Sequence, residues 1–289
     1  MNRLNQLFQN KKRQILNVYF TAGYPKRDDT EGVILSLARE GVDLIEIGMP
    51  YSDPLADGPT IQESGSKALE NGMSLDLLFS QIKSVRTKTE VPLILMGYFN
   101  QVMQYGDVRF FQKCQDAGVD GLILPDLPLA VFEEKYQKML AELDLKITFL
   151  ITPQTPTDRI RKIDKLSTGF VYIVSSYAIT GAKTGITPEQ IEYFKRIESM
   201  KLKSPRLIGF GISDHETFEI ACRHANGAII GSAFIRALGK ANTEGVNLDF
   251  AIQNFIANVT LSDTYAWDIL ASIEYLPAPM RINIKQKTA

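Results

Sequence analysis

Eight short apolar runs, each bounded by turn residues and followed by a stretch of helical periodicity, constrain this chain more than any other feature. They occupy residues 15–20, 43–48, 92–96, 121–124, 147–152, 170–175, 206–210 and 227–230. The intervening segments repeat their apolar residues at the helical spacing. Within 31–40, Val33, Ile34, Leu37 and Ala38 share one face, and Leu78, Ile82 and Val85 do the same in the third unit. Strands that alternate with helices are parallel strands joined by crossovers. Eight such units in ~240 residues match an α/β fold of the (β/α)8 TIM barrel type. A doubly wound open sheet is the alternative, but its GxGxxG fingerprint does not follow the first strand. No linker or low-complexity segment interrupts the chain, so one barrel domain is expected over residues 1–258.

Composition narrows the function classes. A net charge of -1 argues against a general nucleic-acid binder. Cys114 and Cys222 are the only cysteines and form no CxxC pair, which fits a reducing cytoplasmic setting and offers no zinc site. The opening residues are too polar for a signal peptide and read as a short amphipathic helix with Leu4, Leu7 and Phe8 on one face. No apolar run approaches the ~20 residues of a membrane span.

The chemistry is expected at the carboxyl ends of the strands. Alternation along 43–48 puts Leu44, Glu46 and Gly48 on one face and Ile45 and Ile47 on the other. The isoleucines suit the helix-covered outside, so Glu46 points into the barrel mouth. Apolar neighbours raise the pKa of a buried carboxyl, which lets it give and take a proton near neutrality. A strand glutamate also suits a structural ion pair, and residue type alone leaves both roles open. In the loop that follows, Pro54 and Pro59 restrict the backbone and Gly58 permits a bend. Asp57 either completes an acid/base pair with Glu46 or caps a helix starting at Thr60 or Ile61.

An anion site is expected on the opposite side of the barrel. Gly209 to Ser213 ends the seventh strand. Gly231-Ser232 ends the eighth and opens a short helix over 233–238. Backbone N–H groups at such a helix start attract phosphate. The sixth loop, 175–185, holds small and hydroxyl residues with two glycines, the composition of a mobile lid or of a plain connection. No lysine ends a predicted strand: Lys146 precedes the fifth. Schiff-base chemistry is therefore disfavoured. His215 and His224 sit at the two ends of the seventh helix, and no metal-ligand spacing occurs. Proton-transfer lyase or isomerase chemistry remains.

The stretch from Leu44 to Gln62, with its Glu46 and its Pro50-Tyr51-Ser52-Asp53-Pro54-Leu55-Ala56-Asp57-Gly58-Pro59 loop, closely resembles the signature of the tryptophan synthase alpha subunit family. The resemblance extends to Tyr19-Phe20-Thr21-Ala22-Gly23-Tyr24-Pro25, to Pro92 through Asn100, and to Gly121 through Pro128. It continues through Tyr172, Thr180-Gly181, Gly209 through Ser213, and Gly231-Ser232. It covers residues 1–258, and the chain is identified as a member of that family.

The resemblance implies retro-aldol cleavage of indole-3-glycerol phosphate to indole and glyceraldehyde 3-phosphate. Glu46 would protonate the indole C3 and serve as base, and Asp57 would accept from the indole N–H. Tyr172 would position Glu46. Tyr19, Met96 and Leu124 would line the indole slot, though their spacing serves equally for barrel core. Gly181, Gly211, Gly231 and Ser232 would hold phosphate, and Thr180 would close the site over Asp57. A beta subunit in an α2β2 complex would receive the indole and carry the pyridoxal phosphate, leaving this chain without a cofactor. Pro50, Asp53 and Pro54, with a loop over 100–106, would contact it. Two features depart from the family pattern: the bulky Ser176-Tyr177-Ala178 before the Thr-Gly pair, and a C-terminal extension over 259–289 to which the sequence assigns no structure. A free-standing lyase, a phosphate-binding isomerase and a non-catalytic activator of the beta chain are the competing readings.

Overall fold

The computed structural model describes residues 1–175, 186–209 and 211–261. Eight parallel strands close into a barrel: β1 (Ile15–Thr21), β2 (Leu44–Gly48), β3 (Leu93–Met96), β4 (Gly121–Ile123), β5 (Lys146–Ile151), β6 (Val171–Val174), β7 (Arg206–Gly209) and β8 (Gly227–Ile230). Closure is made by β8 pairing with β1, with Asn17 opposite Ile229. All eight coincide with the apolar runs of the sequence, because a strand covered on both faces must be apolar on both.

Chain order places α1 (Arg3–Asn10) before the barrel and α2 (Asp29–Arg39) after β1. Two helices, α3 (Pro59–Glu70) and α4 (Leu75–Val85), follow β2. Another two, α5 (Phe99–Tyr105) and α6 (Asp107–Ala117), follow β3. After β4, α7 (Leu129–Val131) continues through a π turn (Phe132–Tyr136) into α8 (Gln137–Glu142). Then come α9 (Thr157–Leu166), α10 (Pro188–Ser199), α11 (His215–His224), α12 (Ser232–Glu244) and α13 (Leu248–Thr260).

Strand alternation sorts the core into two layers. Outward residues such as Val18, Ile45, Ile47, Leu95, Ile173 and Ile208 pack with the helices. Inward residues Ile15, Leu44, Ile94, Ile123, Tyr172, Leu207 and Ile229 fill the barrel. The amino-terminal end of the barrel is stoppered by α1, whose Leu4 and Phe8 join this inner cluster. The Asn2 amide ties α1 down by donating to the carbonyls of Asp120 at 2.9 Å and Asp144 at 2.7 Å.

Two expectations are corrected. Residues 100–106, read as a loop, fall almost wholly within α5, anchored by buried Phe99 and Val102. The helix after β8 is not confined to 233–238 but runs thirteen residues as α12. The last described helix, α13, ends at Thr260. Of the extension expected over 259–289, residues 262–289 lie outside the described residues, as does the bulky Ser176-Tyr177-Ala178 segment.

Candidate active site

The inward face of β2 carries Glu46 into the barrel, where it is completely buried. The Asn17 amide on β1 donates to its Oε1 at 2.5 Å. Its other oxygen, Oε2, has no hydrogen-bond partner among the described residues. Burial pushes the Glu46 carboxyl up to about 8, with Asn17 pulling in the opposite sense. A group so placed exchanges a proton near neutral pH.

Two tyrosines border it. Tyr19 stands opposite Glu46 in the β1–β2 register, and Tyr172 projects from β6 into the inner cluster. Both phenols are held above their ordinary pKa, first by burial and then by the charges of Glu46 and Asp57. Each ring crosses a glycine at the end of the next strand. A Cβ at Gly48 would lie 2.1 Å from the Tyr19 hydroxyl, and one at Gly209 would lie 2.3 Å from that of Tyr172. Those glycines therefore make the space that the aromatic rings occupy.

Asp57 lies above this floor in the β2–α3 loop. It does not cap α3: the N-cap is Gly58, and no side chain caps that helix. The loop is fixed through its backbone. The Asp57 N–H donates to the Pro54 carbonyl at 3.0 Å, and Gln62 donates to the Asp57 carbonyl at 2.8 Å. Half-burial raises the Asp57 carboxyl to about 6, and a hydrogen bond from the Tyr98 hydroxyl opposes that rise.

Tyr98 and Asn17 are the two site residues that the sequence reading missed. The Tyr98 hydroxyl also accepts the Ala56 N–H at 3.0 Å, and its ring lies 5.0 Å from that of Tyr51. Asn100 donates to the Tyr51 hydroxyl at 2.7 Å, and Gln101 donates to the Pro50 carbonyl at 2.8 Å. The amino end of α5 thus holds the loop that carries Asp57. A polar residue between Ile15 and Tyr19 on an inward face was the available signal for Asn17.

Met96 sits half-buried at the end of β3 against the inner cluster. Leu124 does not line the interior: it packs in the outer layer, and Ile123 takes the inward place on β4. Across the barrel, Gly211 has a φ of 79°, a left-handed conformation suited to glycine. Gly231 is the N-cap of α12, with no side-chain cap on the helix N–H groups, and Ser232 is its first residue. This is an arrangement that accepts an anion. Thr180 and Gly181 lie outside the described residues. Pro50 and Pro54 are half-exposed and Asp53 is exposed, beside the 86% exposed Leu55. Met103 on α5 and Val108 on α6 are also exposed. Among the described residues no group of histidine, cysteine and carboxylate side chains could hold a metal. No helix among them is long and apolar enough to cross a membrane.

The family model for the tryptophan synthase alpha chain matches residues 5–261. The tryptophan synthase alpha chain of Christiangramia forsetii is 53% identical over 246 residues, spanning 85% of this chain and 96% of that protein. The corresponding protein of Flavobacterium psychrophilum is 53% identical over 247 residues, spanning 86% and 97%. Among solved structures, tryptophan synthase subunit alpha of Legionella pneumophila superposes with a TM-score of 0.80 at 29% identity, covering 90% of this chain and 97% of that one. A mutant alpha-subunit from Pyrococcus furiosus superposes with a TM-score of 0.78 at 33% identity, covering 86% and 98%.

Proposed function

The chain belongs to the tryptophan synthase alpha chain family, and from that premise we propose how its own residues carry out the family's cleavage of indole-3-glycerol phosphate to indole and glyceraldehyde 3-phosphate. The observation that carries the reading is Glu46: wholly buried, inward-facing, with one oxygen unpartnered among the described residues and its carboxyl pushed up to about 8.

Protonated Glu46 gives its proton to the indole C3, making an iminium-like ring. The bond from C3 to the hydroxyl-bearing side-chain carbon then breaks, and its electron pair flows into the ring to neutralise the nitrogen. The hydroxyl proton returns to the Glu46 carboxylate as the aldehyde forms, so the enzyme ends as it began. Asp57, ionised, accepts from the indole N–H and stabilises the positive charge developing there, an effect worth about 3 kcal/mol when the geometry is fixed. Tyr172 borders Glu46 and limits its movement. Tyr19, Met96 and Ile123 form the indole slot. Phosphate binds across Gly211, Gly231 and Ser232; the family resemblance adds Gly181 to that set and gives Thr180 the role of closing the site over Asp57.

Membership in this family implies a beta-chain partner. We assign an α2β2 complex, pyridoxal phosphate held by the beta chain, and a cytoplasmic setting. The docking surface is Pro50, Asp53 and Pro54 with α5, where Leu55 and Met103 expose apolar area. Residues 1–258 form the barrel unit and 259–289 an appended segment, with α13 bridging the boundary.

The test is glyceraldehyde 3-phosphate release by the purified chain, alone and then with a tryptophan synthase beta subunit. Slow release with strong stimulation is expected. Fast release alone would indicate a free-standing lyase, and none in either case an activator. Glu46→Gln should lower cleavage by about 10²–10⁴-fold while phosphate binding persists. A rate near that of the wild type would remove Glu46 from the mechanism.

A further inference from the structure

Inward positions of a barrel of this kind are filled by apolar residues, and this barrel follows the rule with Ile15, Leu44, Ile94, Leu207 and Ile229. Asn17 breaks it. Its side chain is completely buried among that set, opposite Leu44 on β2 and Ile229 on β8, two residues below the register pair of Tyr19 and Glu46. Its Oδ1 has no hydrogen-bond partner among the described residues. A buried amide with an unmet acceptor costs stability that an aliphatic side chain at the same place would not. Among the described residues, the hydrogen bond its side chain makes is the 2.5 Å donation to Glu46 Oε1.

We infer that Asn17 is a positioning residue for Glu46: its amide engages Oε1 as an acceptor, so that Oε2 is the oxygen that carries and exchanges the proton with the substrate. The inference rests on the reading of Glu46 as the acid and base of the cleavage. The two oxygens of a free carboxylate are equivalent, and only one of them faces the substrate productively. Occupying Oε1 with a donor removes that ambiguity in both protonation states. An ionised Oε1 accepts from the N–H, and in the acid form Oε1 is the carbonyl oxygen and still accepts. The opposite amide orientation would bring two acceptors together whenever Glu46 is ionised. A lysine or arginine here would hold Oε1 as firmly but would trap the carboxylate form. The neutral amide orients the group while leaving its proton labile.

The groups that face Glu46 allow this assignment to be tested by pH. Tyr19 approaches from β1 and Tyr172 from β6, with Asp57 above them. The β3 neighbour, Ile94, is apolar. Both tyrosines stay neutral through the working range, so Glu46 and Asp57 are the two carboxylates whose titration shapes the profile.

The experiment measures kcat and KM for indole-3-glycerol phosphate cleavage, with the beta subunit present, across about pH 5.5–9.5. The enzymes compared are the wild type, Asn17→Leu, Asn17→Ser and Glu46→Gln, with thermal unfolding as the control for folding. Asn17→Leu should lower kcat about ten-fold or more with KM little changed, and should move the Glu46 limb of the profile to higher pH. Asn17→Ser retains a donor and should recover part of the rate. If Asn17→Leu does not fold, Asn17→Ala makes the same comparison without added bulk. An unchanged profile and kcat in the Leu or Ala variant, beside an inactive Glu46→Gln, would overturn the inference and leave the Glu46 reading intact. An active Glu46→Gln would overturn both.

Discussion

Among the described residues two carboxylates are sealed inside this barrel, one at each end, and only one of them is paired with cations. Asp120, 2% exposed at the amino-terminal end, accepts from Arg86 at 2.9 Å, from Arg3 at 3.2 Å and from the Leu93 N–H at 2.9 Å. Glu46, at the opposite end, accepts from one neutral amide. Burial lifts both carboxyls. At Asp120 the two guanidiniums pull the value back, and at Glu46 no cation among the described residues does. A carboxylate fenced by cations is a fixed anchor, because releasing it strands several charges at once. A carboxylate left with an amide alone holds a proton that can be exchanged. The same burial thus serves the stopper helix α1 at one end and the chemistry at the other.

The comparison breaks most visibly at Arg86. Besides Asp120, its guanidinium donates to the carbonyls of Gly118 at 2.7 Å and Val91 at 2.8 Å. Arg86→Ala would leave a buried carboxylate short of its main partner, a loss of about 3–5 kcal/mol of stability by urea denaturation. Cleavage measured well below the unfolding transition should change little. A loss under about 1 kcal/mol would mean that Asp120 is held without its cation and that the contrast between the two ends is weaker than drawn.

An effect of comparable size, spread over pH, sharpens the other half. Unfolded, Glu46 titrates near its ordinary value of 4.5, and folded it titrates at about 8. Between those values the folded chain binds more protons than the unfolded chain. Stability on account of Glu46 is therefore full below the unfolded value and declines as pH rises toward the folded one, by up to about 1.4 kcal/mol per pH unit. Glu46→Gln lacks this proton. Relative to the wild type, it should gain stability from about pH 5 to about 8 and hold a constant lead above that. Two parallel stability curves would show that Glu46 is ionised at no cost and is not the poised group that its burial implies.

The strands were legible because parallel strands covered on both faces are written as continuous apolar runs, and the inward aim of Glu46 followed from the alternation of Leu44, Glu46 and Gly48. Leu124 was misplaced because the run over 121–124 is apolar throughout, so it hides which parity faces inward. The strand itself ends at Ile123. Residues 100–106 read as a loop because the seven residues of α5, with two buried apolar positions, are too few to establish a helical period. The hydrogen bond from Asn17 to Glu46 depends on the offset between β1 and β2, and no single strand encodes that offset. Tyr98 was hidden for the same reason: its hydroxyl serves a loop more than forty positions earlier in the chain.

Asp57 supplies an intermediate case between the two sealed carboxylates, and the smallest effect. It is half-buried, titrates at about 6, and has one hydroxyl donor, Tyr98. That hydrogen bond favours the ionised form, so its loss moves the carboxyl further up. Tyr98→Phe removes the donor and also the acceptor of the Ala56 N–H. One hydrogen bond to a partly solvated carboxylate is worth about 0.5–1.5 kcal/mol, which moves a pKa by about one unit or less. Asp57 must be ionised to stabilise the indole nitrogen, so the acid limb of the kcat profile for cleavage should shift to higher pH by that amount. The rate well above that limb should fall only to the extent that the loop loosens. An acid limb that stays in place while the rate drops at every pH would assign Tyr98 to holding the loop through Ala56 and not to tuning Asp57. The contrast in how the protein treats its carboxylates would then rest on Asp120 and Glu46 alone.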